Sequence, residues 1–502
     1  MRINSAQKQF RDLKSDLLVL ILNEKEVKSG KSSNNRLNKY LSEIAQSFNL
    51  KSSLSLFKKN LLEGKWGQKL FLATPQLSQC KGVYFVVWEE VKDELERAER
   101  LREIGGWIAA LAKNKNFKNL ALIGGEFDPA GTDVLEGIVE GVGLASYSFD
   151  KYKSSKDKFR LQGIQVISSR KVRTELVSEL KSVLEAVAFC RNLVNTVPKE
   201  CTPRYIVNQC RQIAREEKLS FRVWDKERLR KIKAGLLLAV SAGSSEPPYL
   251  VSMSYKPRGA KKVLALVGKG VTFDSGGYNL KPTGSMETMK CDMSGAAAVI
   301  SLMKIVRKLS PKVEVRAYVP LTENLVNGSA VKPGDVIKGI GGKSVEILNT
   351  DAEGRLILAD AIALACKEGC DYMIDLATLT GSCVVALGTQ CAGLFSNDER
   401  LSSQIKSAAL SSAEKVWAMP LFSRYRKQLE SKIADLKNIG TRWGGSITAA
   451  LFLKEFVKDS VKWAHLDIAG PAFYESAANS YLAAGATGFG VRTLAKVVKK
   501  LS

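Results

Sequence analysis

Histidine is nearly absent from this sequence, which contains a single one, His465, among 502 residues. One imidazole cannot supply an HExxH zinc helix, a histidine-rich metal site or a Cys/His zinc cluster. A Ser-His-Asp or Cys-His triad would have to use His465, and no GxSxG motif accompanies it. We therefore expect His465 to be a packed residue on a buried strand.

Long hydrophobic runs and cysteine pairs are also lacking. The longest aliphatic run near the N-terminus, Leu17 to Leu22, is too short for a membrane span or a signal-peptide core, and acidic residues flank it. The nine cysteines include no CxxC pair, although Cys366 and Cys370 lie one helical turn apart. We expect a soluble, unsecreted, cytoplasmic protein with reduced and mostly buried thiols.

Acidic residues are few relative to basic ones. Lys and Arg number 76 and Asp and Glu number 51, which gives a net charge of +25. Such a charge indicates either an anionic partner such as nucleic acid or a lysine-rich, highly soluble surface. The basic stretch KPRGAKK, residues 256–262, favours nucleic acid, whereas the lack of a recognisable nucleic-acid motif disfavours it.

The length predicts two or three domains. In the first 150 residues, short apolar runs such as Val83 to Trp88 and Leu120 to Ile123 alternate with helix-like segments such as Val91 to Ala112, which predicts a small α/β domain. Residues 150–160 are charged and are expected to form a loop or boundary. A helix from about Arg173 to Asn195 then leads into the second domain.

From about residue 200 the pattern predicts a mostly parallel sheet with helices on its faces. Ligands of such sheets gather beyond the carboxyl ends of the strands. The predicted strands are Val263 to Val267, Val313 to Pro320 and Tyr372 to Ala377, and the predicted helices are Ala296 to Leu309 and Leu356 to Lys367.

The stretch NTDAEGRLILAD, residues 349–360, has two interpretations. In an extended segment, Asp351, Glu353 and Arg355 would point to one face, because side chains alternate with a period of two. Alternatively, Thr350 and Glu353 followed by an apolar run match a helix capping box. The two carboxylates serve a ligand in the first interpretation and the helix start in the second.

A second stretch, residues 267–299, carries Lys269, Asp274, Lys281 and Asp292 among glycines. Each has an ordinary structural alternative, because Asp274 could form an Asx-turn, Asp292 could cap the helix that follows, and the lysines could be solvated. However, two strand-end loops would then each present carboxylates with a cation close by. Carboxylate oxygens suit hard or borderline divalent ions, and two ions about 3.5–4 Å apart are a recognised hydrolytic arrangement.

The residues resemble a known family at this point. NTDAEGRL at 349–356, VGKGVTFDSGG with KCDMSG, DLATLTG at 375–381 and GGSITAALFL at 444–453 are similar to the leucyl aminopeptidases, also called cytosol aminopeptidases, which are dinuclear metallo-exopeptidases. The resemblance covers essentially the whole C-terminal part. It implies a small N-terminal α/β domain, residues 1–170, for oligomerisation or regulation. A larger α/β catalytic domain, residues 171–502, would follow.

The resemblance also implies a role for each site residue. One metal would be held by Asp274, Asp351 (side chain and main-chain carbonyl) and Glu353, and the other by Lys269, Asp274, Asp292 and Glu353. A lysine ligand would have to be the neutral amine. Lys281 and Arg355 would be the catalytic cations, with bicarbonate at Arg355. The pocket for the first side chain would be lined by Met289, Thr378 and Gly381.

The function implied is a metal-dependent aminopeptidase that releases N-terminal leucine and other apolar residues through a water activated by two ions. Zn or Mn is expected, with Mg or Co as alternatives, and the family's habit is a homohexamer. Cys291, Ser294 and Tyr278 depart from the family pattern and put pocket shape in doubt. Two alternatives are a nucleic-acid-binding protein with the same fold, as an added or sole role, and a scaffold protein with an inactive site.

Overall fold

The structure is a computed structural model that describes residues 1–6, 14–28, 65–74, 80–123, 133–167 and 174–501. Contacts divide the chain into two compact units, one formed by Met1–Leu184 with Ala477–Ala483 and the other by Glu185–Ser476 with Ala484–Ser502. Both are α/β units, as the sequence predicts. Within the described ranges, no helix is both long and apolar enough to cross a membrane.

The first unit is built on a six-stranded sheet with the order β1-β6-β5-β2-β4-β3, in which only the β3–β4 pair is antiparallel. Strands β2 and β4 are buried almost throughout, which explains their continuous apolar sequences. The elements of this unit are β1 Arg2–Ala6, β2 Leu17–Asn23, α1 Glu24–Lys28, β3 Lys69–Ala73, β4 Gly82–Trp88, α2 Glu94–Lys115, β5 Asn119–Ile123, α3 Asp133–Ala145, β6 Gly163–Ile167 and the first half of α4 Thr174–Asn195.

Helix α2 begins three residues later than predicted, at Glu94 rather than Val91. The Asp93 side chain accepts a hydrogen bond from the Glu96 N–H (2.7 Å) and so caps the first turn. At the other end, Asn116 adopts the left-handed conformation that commonly terminates helices. The sequence therefore predicted the helix correctly, and the cap decided where it begins.

The second unit contains a nine-stranded mixed sheet with the order β16-β15-β18-β14-β9-β11-β8-β7, and β10 also pairs with β11. Its centre, β18-β14-β9-β11, is parallel, as predicted. The strands of this unit are β7 Ser220–Trp224, β8 Tyr249–Tyr255, β9 Val263–Gly268, β10 Gly270–Asp274, β11 Glu314–Asn324, β12 Val336–Lys338, β13 Ser344–Glu346, β14 Tyr372–Ala377, β15 Cys391–Ser396, β16 Lys415–Ala418, β17 Leu436–Lys437, β18 Lys462–Asp467, β19 Phe473–Tyr474 and β20 Gly485–Ala486.

Helices pack against this sheet, and two of them, α9 and α11, lead out of the candidate site. Every residue of α9 is buried, and its small side chains allow close packing. The helices are α5 Pro203–Glu216, α6 Lys226–Lys231, α7 Gly235–Val240, α8 Thr283–Met286, α9 Ser294–Met303, α10 Val306–Leu309, α11 Gly354–Glu368, α12 Gly381–Leu387, α13 Glu399–Ser411, α14 Gly445–Lys454 and α15 Val491–Lys500, with 3-10 helices at Ser241–Gly243, Met289–Met293 and Ser423–Leu429.

The single helix predicted from Ala296 to Leu309 is wrong in one respect, because the structure divides it into α9 and α10. Ile305 leaves the helical region of the backbone, with φ −121° and ψ −1°. The nine cysteines are all free, and seven of them are buried, as expected.

The carboxyl ends of the parallel strands bring distant segments of the chain to one edge of the sheet. Lys269 follows β9 and Thr378 follows β14, and the Lys269 N–H donates a hydrogen bond to the Leu376 carbonyl (3.0 Å). Helix α9 approaches the same edge so closely that a Cβ on Gly295 would lie 2.0 Å from the Leu376 carbonyl oxygen. Only glycine fits at that position.

Candidate active site

The NTDAEGR segment is a turn that leads into α11. Glu353 is the N-cap of α11, its side chain makes no capping hydrogen bond, and the helix begins at Gly354. The predicted helix start is therefore confirmed, whereas the extended conformation and the capping box are wrong. Thr350 instead joins two loops, because its hydroxyl donates to the Gly276 carbonyl (2.6 Å) and accepts from the Asn279 N–H (2.9 Å).

Three carboxylates converge from two loops that are distant in sequence. Oxygen atoms of Asp274, Asp351 and Glu353 all lie within 4.8 Å of one another. Asp274 ends β10, whereas Asp351 and Glu353 precede α11. Asp274 and Glu353 are buried and Asp351 is partly exposed, so the cluster opens on one side.

Lys269 lies beside this cluster and is only 3% exposed. Its Nζ donates to Asp292 Oδ1 (2.7 Å) and to the Thr378 carbonyl (2.9 Å), and it lies 2.9 Å from Glu353 Oε1. Burial disfavours the charged ammonium, but the neighbouring carboxylates outweigh this effect and hold the pKa of Lys269 above its ordinary value.

Lys281 contacts the same carboxylates from the more open side. Its Nζ lies 3.0 Å from Asp274 Oδ2 and 2.5 Å from Asp351 Oδ1. Burial alone would lower the pKa of Lys281, but the charges of these carboxylates raise it by more, so the pKa lies above its ordinary value. Because Lys269 is buried and the Lys281 side chain is only 15% exposed, the prediction of solvated surface lysines is wrong for both.

The local alternatives for the aspartates have different outcomes. The Asx-turn of Asp274 is present, since its Oδ1 accepts the Gly276 N–H (2.9 Å). Asp292 does not cap a helix: the N-cap of α9 is Met293, without a side-chain hydrogen bond. Asp292 Oδ1 instead accepts from the Thr378 hydroxyl (2.8 Å) and from a lysine.

The carboxylates have fewer donors than their charge requires. Burial raises the pKa of Asp274, Asp292 and Asp351, and the neighbouring carboxylates add to each shift. Asp292 Oδ2, Asp351 Oδ1 and Glu353 Oε1 are buried and accept no hydrogen bond within the part of the chain that the structure describes, although lysine ammonium groups lie near two of them. Buried acceptors without donors are costly, so this oxygen-rich set fits divalent cations.

Arg355, on the first turn of α11, is buried beside the same cluster. Its Nη1 donates to the Asn438 carbonyl (2.8 Å), and its Nε has no hydrogen-bond partner among the described residues. Burial lowers the pKa of Arg355 to about 10, against the opposing charges of Glu353 and Asp467. The guanidinium still carries its charge at neutral pH and is suited to an anion.

All ten site residues predicted from the sequence line one cavity of about 550 Å³, a volume typical of small-ligand sites. The structure therefore brings together residues that the chain separates widely. These residues are Lys269, Asp274, Lys281, Met289, Asp292, Asp351, Glu353, Arg355, Thr378 and Gly381.

Sequence reasoning missed Asn438, which supports the cavity from behind. Asn438 is fully buried; its Oδ1 accepts the Leu348 and Asn349 N–H groups, its Nδ2 donates to the Asn349 carbonyl, and its own carbonyl holds Arg355. A single buried asparagine produces no periodic pattern. No signal in the sequence could have identified it.

His465 lies on β18, is fully buried and is absent from the residues that line the cavity. Its Nδ1 lies 2.6 Å from Asp375 Oδ1, and its ring stacks with Trp463 and Phe395. The prediction of a packed histidine on a buried strand is confirmed.

The three departures from the family pattern have unequal importance. Cys291 lines the cavity and is buried. Ser294 and Tyr278 are not among its lining residues, and the Tyr278 hydroxyl donates to the Asn327 carbonyl (3.1 Å) on an exposed surface. Only Cys291 can therefore affect the shape of the pocket directly.

Comparison with known proteins supports this description of both units. The sequence profile of the cytosol aminopeptidase family, catalytic domain, matches residues 188–495, and that of the family's N-terminal domain matches residues 23–156. A probable cytosol aminopeptidase of Protochlamydia amoebophila is 41% identical over 463 residues, which are 90% of this chain and 92% of that protein. Another, of Solibacter usitatus, is 41% identical over 403 residues, 80% of this chain and 83% of that protein.

Solved structures agree. A mutant of tomato leucine aminopeptidase has a TM-score of 0.87 and 32% identity, covering 100% of this chain and 96% of that one. The bottromycin maturation enzyme BotP in complex with Mn has a TM-score of 0.82 and 31% identity, covering 97% of this chain and 99% of that one. Because the matches span both units and the carboxylate-lined cavity, this chain belongs to the cytosol aminopeptidase family and is an aminopeptidase, a hydrolase of peptide bonds.

Proposed function

We propose that this aminopeptidase uses two divalent ions to release N-terminal residues, with leucine and other apolar residues preferred. The observation that carries the proposal is the convergence of Asp274, Asp351 and Glu353 oxygens within 4.8 Å, together with the buried Asp292 Oδ2, which accepts no hydrogen bond from any residue that the structure describes. In an aminopeptidase, such a cluster would hold ions to which the free α-amino end of a peptide can bind.

The ligand sets are those that the family resemblance implies. One ion would be held by Asp274, Asp351 (side chain and main-chain carbonyl) and Glu353, and the other by Lys269, Asp274, Asp292 and Glu353. Two such ions, when bound, supply Lewis acidity that polarises a carbonyl and acidifies a water. The Mn complex of BotP supports Mn, with Zn, Mg and Co as alternatives.

Lys281 and Arg355 are both cations, but each would act on a different group. Lys281 lies on the open side of the carboxylate cluster, where its ammonium can donate a hydrogen bond to the peptide carbonyl oxygen as negative charge develops there. Arg355 is held by the Asn438 carbonyl while its Nε is left for an anion, and we assign bicarbonate to it. Such an anion replaces the histidine base, because His465 is sealed in the core.

The first side chain of the peptide would occupy the part of the cavity formed by Met289, Thr378 and Gly381. Apolar neighbours Leu379 and Ala469 line the same cavity and favour an aliphatic side chain. Because one methylene changes binding by only about 1–3 kcal/mol, the preference for leucine is expected to be broad.

The proposed function is tested with purified protein, Mn²⁺ or Zn²⁺, and leucine p-nitroanilide. Asp351→Ala removes a proposed ligand that is partly exposed, so the variant should fold but lose about 100-fold or more in kcat/KM and bind less metal per chain. Asp459→Ala, an exposed acid that does not line the cavity, is the matched control and should retain full activity. Full activity and metal content in Asp351→Ala would refute the ligand assignment.

Assembly and location extend the proposal. We assign residues 1–170 to oligomerisation or regulation and residues 171–502 to catalysis. We further assign the protein to a cytoplasmic homohexamer, and the family resemblance supports each of these assignments.

Nucleic-acid binding stays a prediction without further support. Within the basic stretch 256–262, Lys262 pairs with Asp371 (2.6 Å) and Lys256 lies 3.7 Å from Glu314, so part of its charge is already compensated. Absence of DNA binding at low salt would eliminate this role.

A further inference from the structure

One cation of the cavity, Arg442, differs from the other three. Lys269 and Lys281 contact carboxylates, and Arg355 is held by a carbonyl. Arg442 lines the cavity but makes no ion pair or hydrogen bond with any residue that the structure describes. It is also exposed, whereas Lys269 and Arg355 are 3% and 6% exposed. Arg442 therefore lies at the mouth of the cavity with its charge available.

The rim that carries Arg442 is fixed by its neighbours. The Thr441 N–H and hydroxyl both donate to Gln428 Oε1 (2.9 and 2.8 Å). After the rim, Gly444 has a φ of +65°, and a Cβ there would lie 2.9 Å from the Tyr425 ring. Asn438, before the rim, is bonded to the segment that precedes α11, so the backbone on both sides of Arg442 is anchored.

The side chain is supported without being neutralised. The Arg442 guanidinium lies 4.6 Å from the centroid of the Trp443 ring, and Trp443 is 69% exposed. Stacking on an aromatic ring orients a guanidinium while its five N–H donors stay free for an anion. Arg442 is therefore an oriented cation without an anionic partner among the residues that the structure describes.

We propose that Arg442 is a specificity-determining residue that binds a carboxylate on the part of the peptide beyond the bond that is cleaved. This inference rests on the proposed function, which places the α-amino end of the peptide at the carboxylate cluster. The second residue of the peptide then extends toward the mouth of the cavity. The carboxylate has two sources: the free C-terminus of a dipeptide, or an acidic side chain on the second residue. Both suit a planar guanidinium.

The experiment separates these sources with two matched pairs of substrates. Leu-Asp-amide against Leu-Asn-amide tests the side chain, and Leu-Ala against Leu-Ala-amide tests the C-terminus. At low salt, the wild-type protein should favour the charged member of at least one pair by about threefold to fivefold in kcat/KM, the range of an exposed ion pair. The preference should fade near 1 M salt, where charges are screened within about 3 Å.

Three variants decide the assignment. Arg442→Gln should remove the preference by lowering kcat/KM for each charged substrate to the value of its neutral partner, and Arg442→Glu should reverse the preference. Arg424→Gln removes a charge that is also exposed, from the 3-10 helix Ser423–Leu429 outside the cavity lining, and should leave the substrate ratios unchanged. Unchanged substrate ratios in Arg442→Gln, or an equal loss in Arg424→Gln, would overturn the proposal.

Binding distinguishes failure of this inference from failure of the proposed function. Reduced-amide analogues of Leu-Asp-amide and Leu-Asn-amide, or of Leu-Ala and Leu-Ala-amide, are not cleaved, and their dissociation constants can be measured by calorimetry. The charged analogue should bind about threefold to fivefold more tightly, and only when Arg442 is present. Equal binding of both analogues would overturn the inference even if the enzyme is active, whereas a protein that cleaves no substrate contradicts only the proposed function.

Discussion

Gly354, the first residue of α11, is the position where the smallest substitution should have a large effect on the site. A Cβ at Gly354 would lie 2.5 Å from Lys269 Cε and 2.7 Å from Lys269 Nζ, whereas ordinary contacts begin at 3.4 Å. In Gly354→Ala the lysine side chain must therefore retreat by about 0.9 Å. The Nζ distance to Asp292 Oδ1, now 2.7 Å, would grow to as much as about 3.6 Å if the lysine moves away from Asp292, and at that distance the hydrogen bond is lost.

The expected cost falls on function more than on folding. Gly354 does not have a positive φ, so alanine suits its backbone and gains about 0.4–1 kcal/mol, while the overlap costs about 1–3 kcal/mol. The free energy of unfolding should therefore change by no more than about 2–3 kcal/mol. A misplacement near 1 Å in a catalytic site costs about 100-fold in rate. We expect a loss of that order in kcat/KM.

The assay measures leucine p-nitroanilide hydrolysis, metal bound per chain and chemical unfolding on the same preparations. Gly328→Ala is the control, because a Cβ at Gly328 meets no atom within 4 Å and its φ is not positive. It should match the wild-type protein in every measurement. Wild-type metal content and activity within threefold in Gly354→Ala would show that Lys269 does not need its position, and would refute the reasoning.

Two further predictions concern stability and assembly. Asp360 is fully buried, accepts the Leu237 and Ile340 N–H groups (2.9 and 2.7 Å), and burial raises its pKa to about 7. The folded state therefore binds the proton of the Asp360 carboxyl group more tightly than the unfolded state does. The resulting stabilisation, at most about 4 kcal/mol, is present below about pH 4 and is lost as the pH rises to about 7. Urea unfolding of wild type and Asp360→Asn should show their stability difference shifting toward the variant over that range, and a constant difference contradicts the assignment. Light scattering should give six times the chain mass of 54.9 kDa if the hexamer proposal is correct, and a monomer contradicts it.

The sequence was informative wherever side-chain type and strand ends decide the outcome. The apolar runs before Lys269 and Thr378 predicted β9 and β14, and parallel strands necessarily bring their carboxyl ends to one edge. The residues that follow these strands must then meet. That is why Lys269 and Thr378 line the same cavity. Residues 349–356 follow β13 of a separate three-stranded sheet and reach the cavity as the turn before α11, where Thr350 bonds to the loop containing Gly276 and Asn279.

Local patterns failed where tertiary contacts override them. Thr350 and Glu353 match a capping box, but the Thr350 hydroxyl bonds instead to the loop containing Gly276 and Asn279, more than 70 residues away. Asp292 could have capped α9, but its Oδ1 accepts a hydrogen bond from Lys269 Nζ instead. In each case a long-range partner, invisible in a single sequence, replaces the local one.

The residues that hold the site residues in place could not be predicted from the sequence, for the same reason. Asn438 acts only through the backbone of residues 348–349 and through Arg355, and Gly354 matters only because the Lys269 side chain crosses it. Neither residue type is rare, and neither position forms part of a periodic pattern. Such contacts follow from the packing of the sheet edge against α11 and become predictable only once that packing is known.

The basic residues of the cavity differ in solvent exposure, and their order of exposure matches their proposed roles. Lys269, at 3%, is enclosed by carboxylates and is proposed to bind a metal ion together with them, whereas the Lys281 side chain, at 15%, contacts carboxylates while remaining open to a substrate. Arg442, exposed and unpaired among the described residues, is available to the part of a peptide that extends toward the mouth of the cavity. Because a charge loses influence as water screens it, the innermost cation should affect catalysis most, and the outermost should affect only the choice of peptide.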